Sequence, residues 1–361
     1  MRGEAVLLSF RLGGVDGVSV EAAKWADALR TLGFAVRRVA GEIAGPSEPD
    51  DVVLPGLAIG AAAEAVPLVS EVSSALDGAD LVVVENLCSL PLNQPAARVA
   101  GRACAAHGGH VLLHHHDLPW QRRGLDHLAS EFPPRLDGSL HVTINHRSRR
   151  ELRARGVARV TTIANRFALD APLGDRTHAR RALRVEPDDL VLFQPARAIE
   201  RKNVPGGLRY AARLTPLVGD LRVRYWLAGP AEDGYDATLE RLLAHAPVPV
   251  SIGRTASIAD AYAAADVVML PSTWEGFGNP TIESVWARRP LVTYPYPVLG
   301  EITACGLRFF PLDDPASLAT FLARPDESLF DTNLRRARIS FSLDDLPDAI
   351  DESLRAAWGG R

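Results

Sequence analysis

The stretch EGFGNPTIE, residues 275–283, sets two carboxylates, Glu275 and Glu283, on either side of a Gly-Phe-Gly-Asn-Pro turn. It comes after DVVMLPS (266–272), a run apolar enough for a strand buried on both faces. Asn279 suits an N-cap and Pro280 a first helical position, which predicts strand, turn through Gly276 and Gly278, then helix over 281–289. A helix start of this kind offers backbone N–H groups and a positive dipole end to a phosphate, and glycines let a ligand approach the main chain closely. Carboxylates accept hydrogen bonds in pairs, so each grips a vicinal diol. A nucleotide sugar carries a diol on its ribose, another on its sugar and a diphosphate between them. The order carboxylate, phosphate-binding turn, carboxylate fits that molecule. The competing reading is a pair of solvated charges at a helix start.

A second group of reactive side chains lies in HVLLHHHDLPWQRR (110–123). Strand alternation puts His114 and His116 on one face and His115 and Asp117 on the other. His115 reads as a buried, hydrogen-bonded packing residue. His114 and His116 with a carboxylate have the makings of a metal site, but no second ligand cluster with clear spacing accompanies them, and no metal is expected. In ENLCSLPLN (85–93), Asn86, Ser89 and Asn93 are polar positions in an apolar segment at the same sheet rim. With Arg122 and Arg123 they form a candidate acceptor pocket, and the arginines suit a carboxylate or phosphate on the acceptor. Plain surface exposure of the two arginines is the alternative.

The elements that must position these residues alternate regularly. EAVLLSF, FAVRRVAG, DLVVVEN, HVLLHHHD and SLHVTINH read as strands, with helices over 19–33 and 94–109 and a further one in RSRRELRARGV. The polar, proline-containing region 165–189 reads as a linker. Alternation then restarts with LVLFQPAR (190–197), a helix over 204–218, and strands over 223–229, 249–253 and 266–272. This predicts an α/β protein of two doubly wound, Rossmann-like domains with a cleft between them. The expected domains are 1–168, 169–338 and a terminal helical segment, 339–361, returning to the first domain.

Composition agrees with a globular chain of this kind. Of 361 residues, 47% are apolar and 23% charged, and the length favours two cores over one. A net charge of -4 gives no electrostatic case for nucleic acid or an anionic membrane as main partner. The cysteines, Cys88, Cys104 and Cys305, lack CxxC spacing and suit a reducing compartment. No run of eighteen uncharged apolar residues occurs, and EAVLLSF reads as a first strand rather than a signal peptide. A soluble cytoplasmic protein is expected.

EGFGNPTIE resembles the E-x7-E motif of retaining GT-B glycosyltransferases, specifically those of family 4. RLGGVDGVSVEAAKWADALRTLGFAV (11–36) is similar to that family's opening Gly-Gly loop and first helix, ARAIERKN (196–203) to its Arg-x4-Lys segment, WLAGPAED (226–233) to its next strand and turn, and SIGRT (251–255) to its base-side loop. The resemblance implies transfer of a hexosyl group from a nucleoside diphosphate sugar to a hydroxyl acceptor, with no cofactor. It implies that Glu283 holds the ribose and Glu275 the donor sugar. Backbone amides near Phe277, Gly278 and Asn279 would meet sugar and diphosphate, with Gly276 and Pro280 beside them in the donor site. Arg197 and Lys202 would neutralise the departing diphosphate, Gly13 and Gly14 would close over it, and Arg254 would lie by the base. His116, followed by Asp117, would contact the sugar or acceptor near the reacting carbon.

Two fixed cations at a strand's carboxyl end make chemical sense in their own right, because they stabilise leaving-group charge where it develops and replace a divalent metal. Some segments depart from the family pattern. Asn145 stands where serine is more usual, TIANRF (162–167) replaces a Pro-Asn-Gly turn, and YPYPVLGEI (294–302) lacks the common Gly-Gly ending. Rival readings are an epimerase or phosphorylase on the same architecture and a non-catalytic binding protein. No lysine occurs after Lys202, which disfavours a pyridoxal-dependent phosphorylase, and GGVDG is not the GxGxxG dinucleotide fingerprint.

Overall fold

The computed structural model describes residues 2–255 and 257–359; Met1, Gly360 and Arg361, at the outer ends of the expected domains, and Ala256, beyond Arg254, lie outside the described residues. The chain divides into two compact units, one of Met1–Arg166 with Leu343–Arg361, the other of Phe167–Ser342.

The first unit holds strands β1 (Glu4–Leu12), β2 (Ala35–Ile43), β3 (Val52–Val53), β4 (Leu81–Glu85), β5 (His110–His115), β6 (Leu140–Thr143) and β7 (Val160–Thr162). Their order in the sheet is β3-β2-β1-β4-β5-β6-β7, and every pairing is parallel. Both faces are covered. Val6, Leu8, Val82, Val84, Val111 and Leu113 belong to one apolar layer; Ala5, Leu7, Leu81, Val83 and Leu112 belong to the other. Successive residues of a strand point to opposite faces, so a sheet buried on both sides reads as one unbroken apolar run. Each such side chain removed from water contributes about 1.5–3 kcal/mol before chain entropy is counted. The helix Leu346–Trp358 joins this unit. Its Leu346 and Ile350 pack in the layer of Trp25 and Leu7, and Trp358 stacks on His110 with centroids 4.3 Å apart.

The second unit repeats the design with β8 (Asp189–Gln194), β9 (Arg222–Leu227), β10 (Val250–Ile252), β11 (Val267–Leu270), β12 (Leu291–Thr293) and β13 (Phe310–Pro311), in the order β10-β9-β8-β11-β12-β13. Alternation again divides its core. Leu192, Tyr225 and Met269 lie in one layer, and Phe193, Trp226 and Leu270 in the other. In both sheets the strand order reverses beside the first strand, between β1 and β4 and between β8 and β11. Doubly wound sheets bind ligands at the carboxyl ends of the strands on either side of such a reversal.

Three sequence expectations need correction. Region 165–189 is not an open linker, because it contains the helix Arg176–Ala182. Arg176 donates to the carbonyls of Ala263 (2.8 Å) and Ala265 (2.9 Å), placing a cation at the C-terminus of the helix Ile258–Ala264, while Arg180 pairs with Asp266 at 3.0 Å. The boundary expected at 338/339 falls inside the helix Glu327–Phe341, and the chain passes to the first unit after Ser342. Asn279 is itself helical (φ -44, ψ -38) and makes no side-chain cap, although Pro280 does open the helix Pro280–Trp286. Among the described residues no helix is long and apolar enough to cross a membrane.

Candidate active site

In the second unit, β8 ends at Gln194, whose fully buried side chain fixes the next segment. Its Oε1 accepts from the Tyr225 hydroxyl at 2.6 Å, and its Nε2 donates to the Lys202 carbonyl at 2.8 Å. The short turn Glu200–Lys202 is thereby anchored under the sheet edge, and Asn203 closes it in the left-handed region (φ 50) with Nδ2 donating to the Pro271 carbonyl at 3.0 Å. The backbone N–H of Thr273, past the end of β11, donates to the Arg201 carbonyl at 2.9 Å. The two loops at the strand-order reversal are thus tied together by main-chain and side-chain bonds.

That tie brings Lys202 Nζ to 2.5 Å from Glu275 Oε1, with Arg201 Nη1 3.3 Å from Oε2. Glu275 is only 7% exposed. Burial alone would raise its pKa; Lys202 first, then Arg201, overcome that and hold the carboxyl at about 2. Two cations thus face one carboxylate. Arg201 is absent from the sequence-derived set, although it is the immediate neighbour of Lys202 in ERKN. Arg197, half-buried at the same sheet edge, pairs with Glu232, a partner the sequence does not announce.

The turn after Glu275 depends on two residues. Gly278 has φ +93, and a Cβ there would come within 2.3 Å of the Tyr296 hydroxyl, which donates to the Phe277 carbonyl at 2.8 Å. The Phe277 ring is buried against Phe167 and Phe341, so only its main chain is offered to a ligand. Tyr296 comes from YPYPVLGEI, and its ring supports the turn from beneath. Glu283 is half-buried and accepts a 2.5 Å hydrogen bond from the Tyr262 hydroxyl. Tyr262, fully buried, is held edge-on by Phe193 and Trp286. Arg254 is exposed after β10, in a loop fastened by the Trp226 indole N–H to the Gly253 carbonyl at 2.8 Å.

In the first unit the rim is formed by the loops that leave β1, β4 and β5 at their carboxyl ends. Gly13 (φ +73) turns the chain after β1 where a Cβ would strike the Ala44 carbonyl oxygen, and Gly14 precedes Asp16, which caps the helix Gly17–Thr31 through the N–H groups of Val18 and Ser19. Asn86, left-handed at φ 58, accepts from the backbone N–H of His116 (3.1 Å) and of Asp117 (3.3 Å). It shapes the His116–Asp117 loop rather than presenting an open side chain. Ser89 and Asn93 also have internal work. Ser89 Oγ lies 2.5 Å from His115 Nδ1, and Asn93 caps the helix Gln94–Ala106 while donating to the carbonyls of Gly56 and Ala58. Both side chains are buried and held by these internal partners. Asp117 pairs with Arg122 at 2.7 Å, and Arg123 is exposed beside them.

His115 lies in a chain of Ser89, His115 and His141, with a 2.9 Å contact between the imidazoles. Burial keeps both rings neutral, lowering His115 well below its ordinary value and His141 to about 4. The role read for His115 from the sequence, a packing residue with hydrogen bonds, describes its surroundings. On the opposite face, His114 Nδ1 and His116 Nε2 lie 2.9 and 3.0 Å from the same oxygen, Glu85 Oε2. Glu85 is missing from the residues read from sequence, where His114 enters only as a candidate metal ligand. Glu85 closes the apolar run LVVVE, and the β4–β5 register pairs it with His114, a neighbour relation that appears only once the strands are aligned.

Residues 196–324 match the family model described as Glycosyl transferases group 1. Among curated proteins the chain is similar to the mannosylglucosylglycerate synthases of Thermotoga maritima (25% identity, covering 96% of this chain and 99% of that one) and Petrotoga mobilis (25%, covering 82% and 83%). Solved structures of the same architecture include Anabaena HepE in complex with UDP and glucose (TM-score 0.76, 18% identity, 98% and 100% covered) and sucrose-phosphate synthase from Thermosynechococcus elongatus (TM-score 0.74, 16% identity, 99% and 100% covered). The two doubly wound sheets, the matched segment that spans Arg197, Lys202, Glu275 and Glu283, and these relatives agree: the chain is a glycosyltransferase of the GT-B fold.

Proposed function

We propose that the enzyme moves a hexosyl group from a nucleoside diphosphate sugar to a hydroxyl of a small acidic acceptor, with retention at the anomeric carbon, as in the family 4 enzymes that its motifs resemble. The observation that carries this reading is the convergence of Lys202 and Arg201 on Glu275 at the β8/β11 reversal, with Glu283 one helical turn into the next helix. Glu283, oriented by Tyr262, takes the ribose diol, and the remaining lone pairs of Glu275 take a sugar hydroxyl. As the C1–O bond to the diphosphate breaks, negative charge grows on the departing oxygens. Lys202, Arg201 and Arg197 stabilise that charge without a divalent metal. The acceptor oxygen bonds to C1 from the face the diphosphate leaves, and its proton passes to the departing phosphate oxygen.

In the first unit, His116 is assigned to the sugar or acceptor near the reacting carbon, and Arg122 and Arg123 to an acceptor carboxylate. The names of the curated relatives, whose product contains glycerate, support an acidic acceptor, and the neighbour that holds UDP and glucose supports a nucleotide donor. The test is a transfer assay with UDP-, GDP-, ADP- and dTDP-sugars against glycerate-based acids in excess chelator. NMR reads the anomeric configuration of the product. Transfer with retention supports the reading. An inverted product, or activity abolished by chelation and restored by a divalent ion, contradicts it.

A further inference from the structure

Glu85 is fully buried, yet its carboxylate is ionised, and the reason is geometric. Two imidazoles converge on one of its oxygens, His114 Nδ1 at 2.9 Å and His116 Nε2 at 3.0 Å. Among the described residues the other oxygen, Oε1, is buried with no hydrogen-bond partner, and so is His114 Nε2, which lies on the side of the ring away from this contact. Trp25 packs against His114 at 4.3 Å between centroids and prevents that ring from swinging away. A buried carboxylate without a counter-charge is costly, and one counter-charge is enough to offset it. Two cationic imidazoles 4.5 Å apart would repel each other. The arrangement therefore has room for one mobile proton, and the rings differ in where they keep it. The His116 backbone is fixed by Asn86 at the mouth of the sheet edge, whereas His114 lies inside β5.

We propose that Glu85 is the positioning residue of His116: it fixes the orientation of the imidazole and keeps its proton in place, while His114 serves as a neutral second donor that locks the carboxylate. The inference rests on the reading of His116 as a site residue. The carboxylates on the neighbouring elements act in the same direction. Burial opposes the charged form of His116, but Glu85 from β4, Glu21 from the helix Gly17–Thr31 and the adjacent Asp117 together raise its pKa. Glu21 is itself balanced by Lys24 at 2.6 Å, and Asp117 by Arg122. His114 is shifted the other way, by burial first, with Glu85 and Glu21 opposing it and His116 adding to it. With its Nε2 held by Glu85, His116 turns its Nδ1 edge away from the carboxylate, and that edge is the one available to a ligand.

The experiment uses the full-length enzyme. Imidazole resonances are followed by NMR from pH 5 to 9 in native protein and in Glu85→Gln, alongside kcat and donor KM for both and for His116→Ala and the double variant. Native His116 is expected to titrate above an ordinary histidine, about 6.5, and to drop below it in Glu85→Gln. Turnover of Glu85→Gln should fall about tenfold to a hundredfold with donor KM little changed, and Glu85→Gln should add nothing on the His116→Ala background. The native titration needs no variant to fold. A native His116 that titrates at or below an ordinary imidazole overturns the inference. So does a titration unmoved by Glu85→Gln, or a full extra loss in the double variant. Stoichiometric metal that survives chelation and holds both rings unprotonated overturns it as well. If His116 loses its proton in Glu85→Gln but neither variant changes turnover, the pairing stands and the reading of His116 as a site residue is what fails.

Discussion

Lys202 Nζ lies 2.5 Å from Glu275 Oε1, and both side chains are largely buried at the reversal of the second sheet. On the proposed mechanism this cation both neutralises its partner and faces the leaving diphosphate, with Arg201 sharing the same carboxylate. Removing Lys202 therefore has two separable effects. Lys202→Ala is expected to lower turnover by about a hundredfold or more and to lower the melting temperature, since a buried carboxylate loses its main partner. Lys202→Arg restores charge but not the compact ammonium, so it should recover most of the stability and little of the turnover. Steady-state kinetics with thermal denaturation checks this; equal recovery of both quantities would argue for a purely structural lysine.

Tyr262→Phe isolates the orientation of Glu283. The variant removes one hydroxyl that donates to a carboxylate, a bond worth about 1.5–3 kcal/mol, while the ring keeps its contacts with Phe193 and Trp286. Nucleotide affinity should weaken about tenfold, with kcat nearly unchanged, as calorimetric titration with the nucleoside diphosphate would read. A fall in kcat at constant affinity would place Glu283 elsewhere in the reaction.

Gly278→Ala tests the turn itself. The residue is in the left-handed region, and its missing Cβ leaves space that the Tyr296 hydroxyl fills. Strain of about 1–3 kcal/mol is expected from the backbone alone, with loss of donor binding. Pairing Gly278→Ala with Tyr296→Phe removes the contact with the hydroxyl but leaves the ring carbon 3.0 Å away and the backbone strain, and should recover only part of the loss. Full recovery would show that φ at 278 is unimportant.

Acid should destabilise the protein in stages. His141 has a folded pKa near 4, below its unfolded value, so its contribution is present above about 6.5 and lost as pH falls toward 4. Glu85 and Glu275, both held at about 2, contribute fully above about 4.5 and lose that contribution as pH falls toward 2, up to about 3 kcal/mol each. His116 has the opposite sign. Its pKa is raised, so its contribution is present below about 6.5 and lost as pH rises through the folded value. Urea denaturation from pH 3 to 9 should show the steepest loss on the acid side, and the Glu275→Gln protein should lose part of that slope.

How much of this was written in the sequence depends on the range of each interaction. Strand and helix positions follow local periodicity, so β1, β4, β5, β8 and β11 are legible in runs such as AVLLSF and LVVVE. The helix Arg176–Ala182 is not, because its stability comes from Arg176 and Arg180 reaching Asp266 and the carbonyls of a distant helix. The same limit applies at the site. Glu275, Glu283, Lys202 and Arg197 stand out by spacing and resemblance. Glu85, Tyr262 and Tyr296 act through partners that are sequence-remote or become neighbours only when strands pair in register. Asn86, Ser89 and Asn93 look free in a linear reading because nothing local shows the backbone and imidazole groups that occupy them.

The most direct test of the account is donor binding to the paired carboxylates of the second unit. Thermal-shift and calorimetric titration of the native protein with UDP-, GDP-, ADP- and dTDP-sugars should find one base that stabilises it saturably. The shift should be largely abolished in Glu283→Ala and in Lys202→Ala, with both variants folded. A donor that binds equally well to native protein and to both variants would contradict the account.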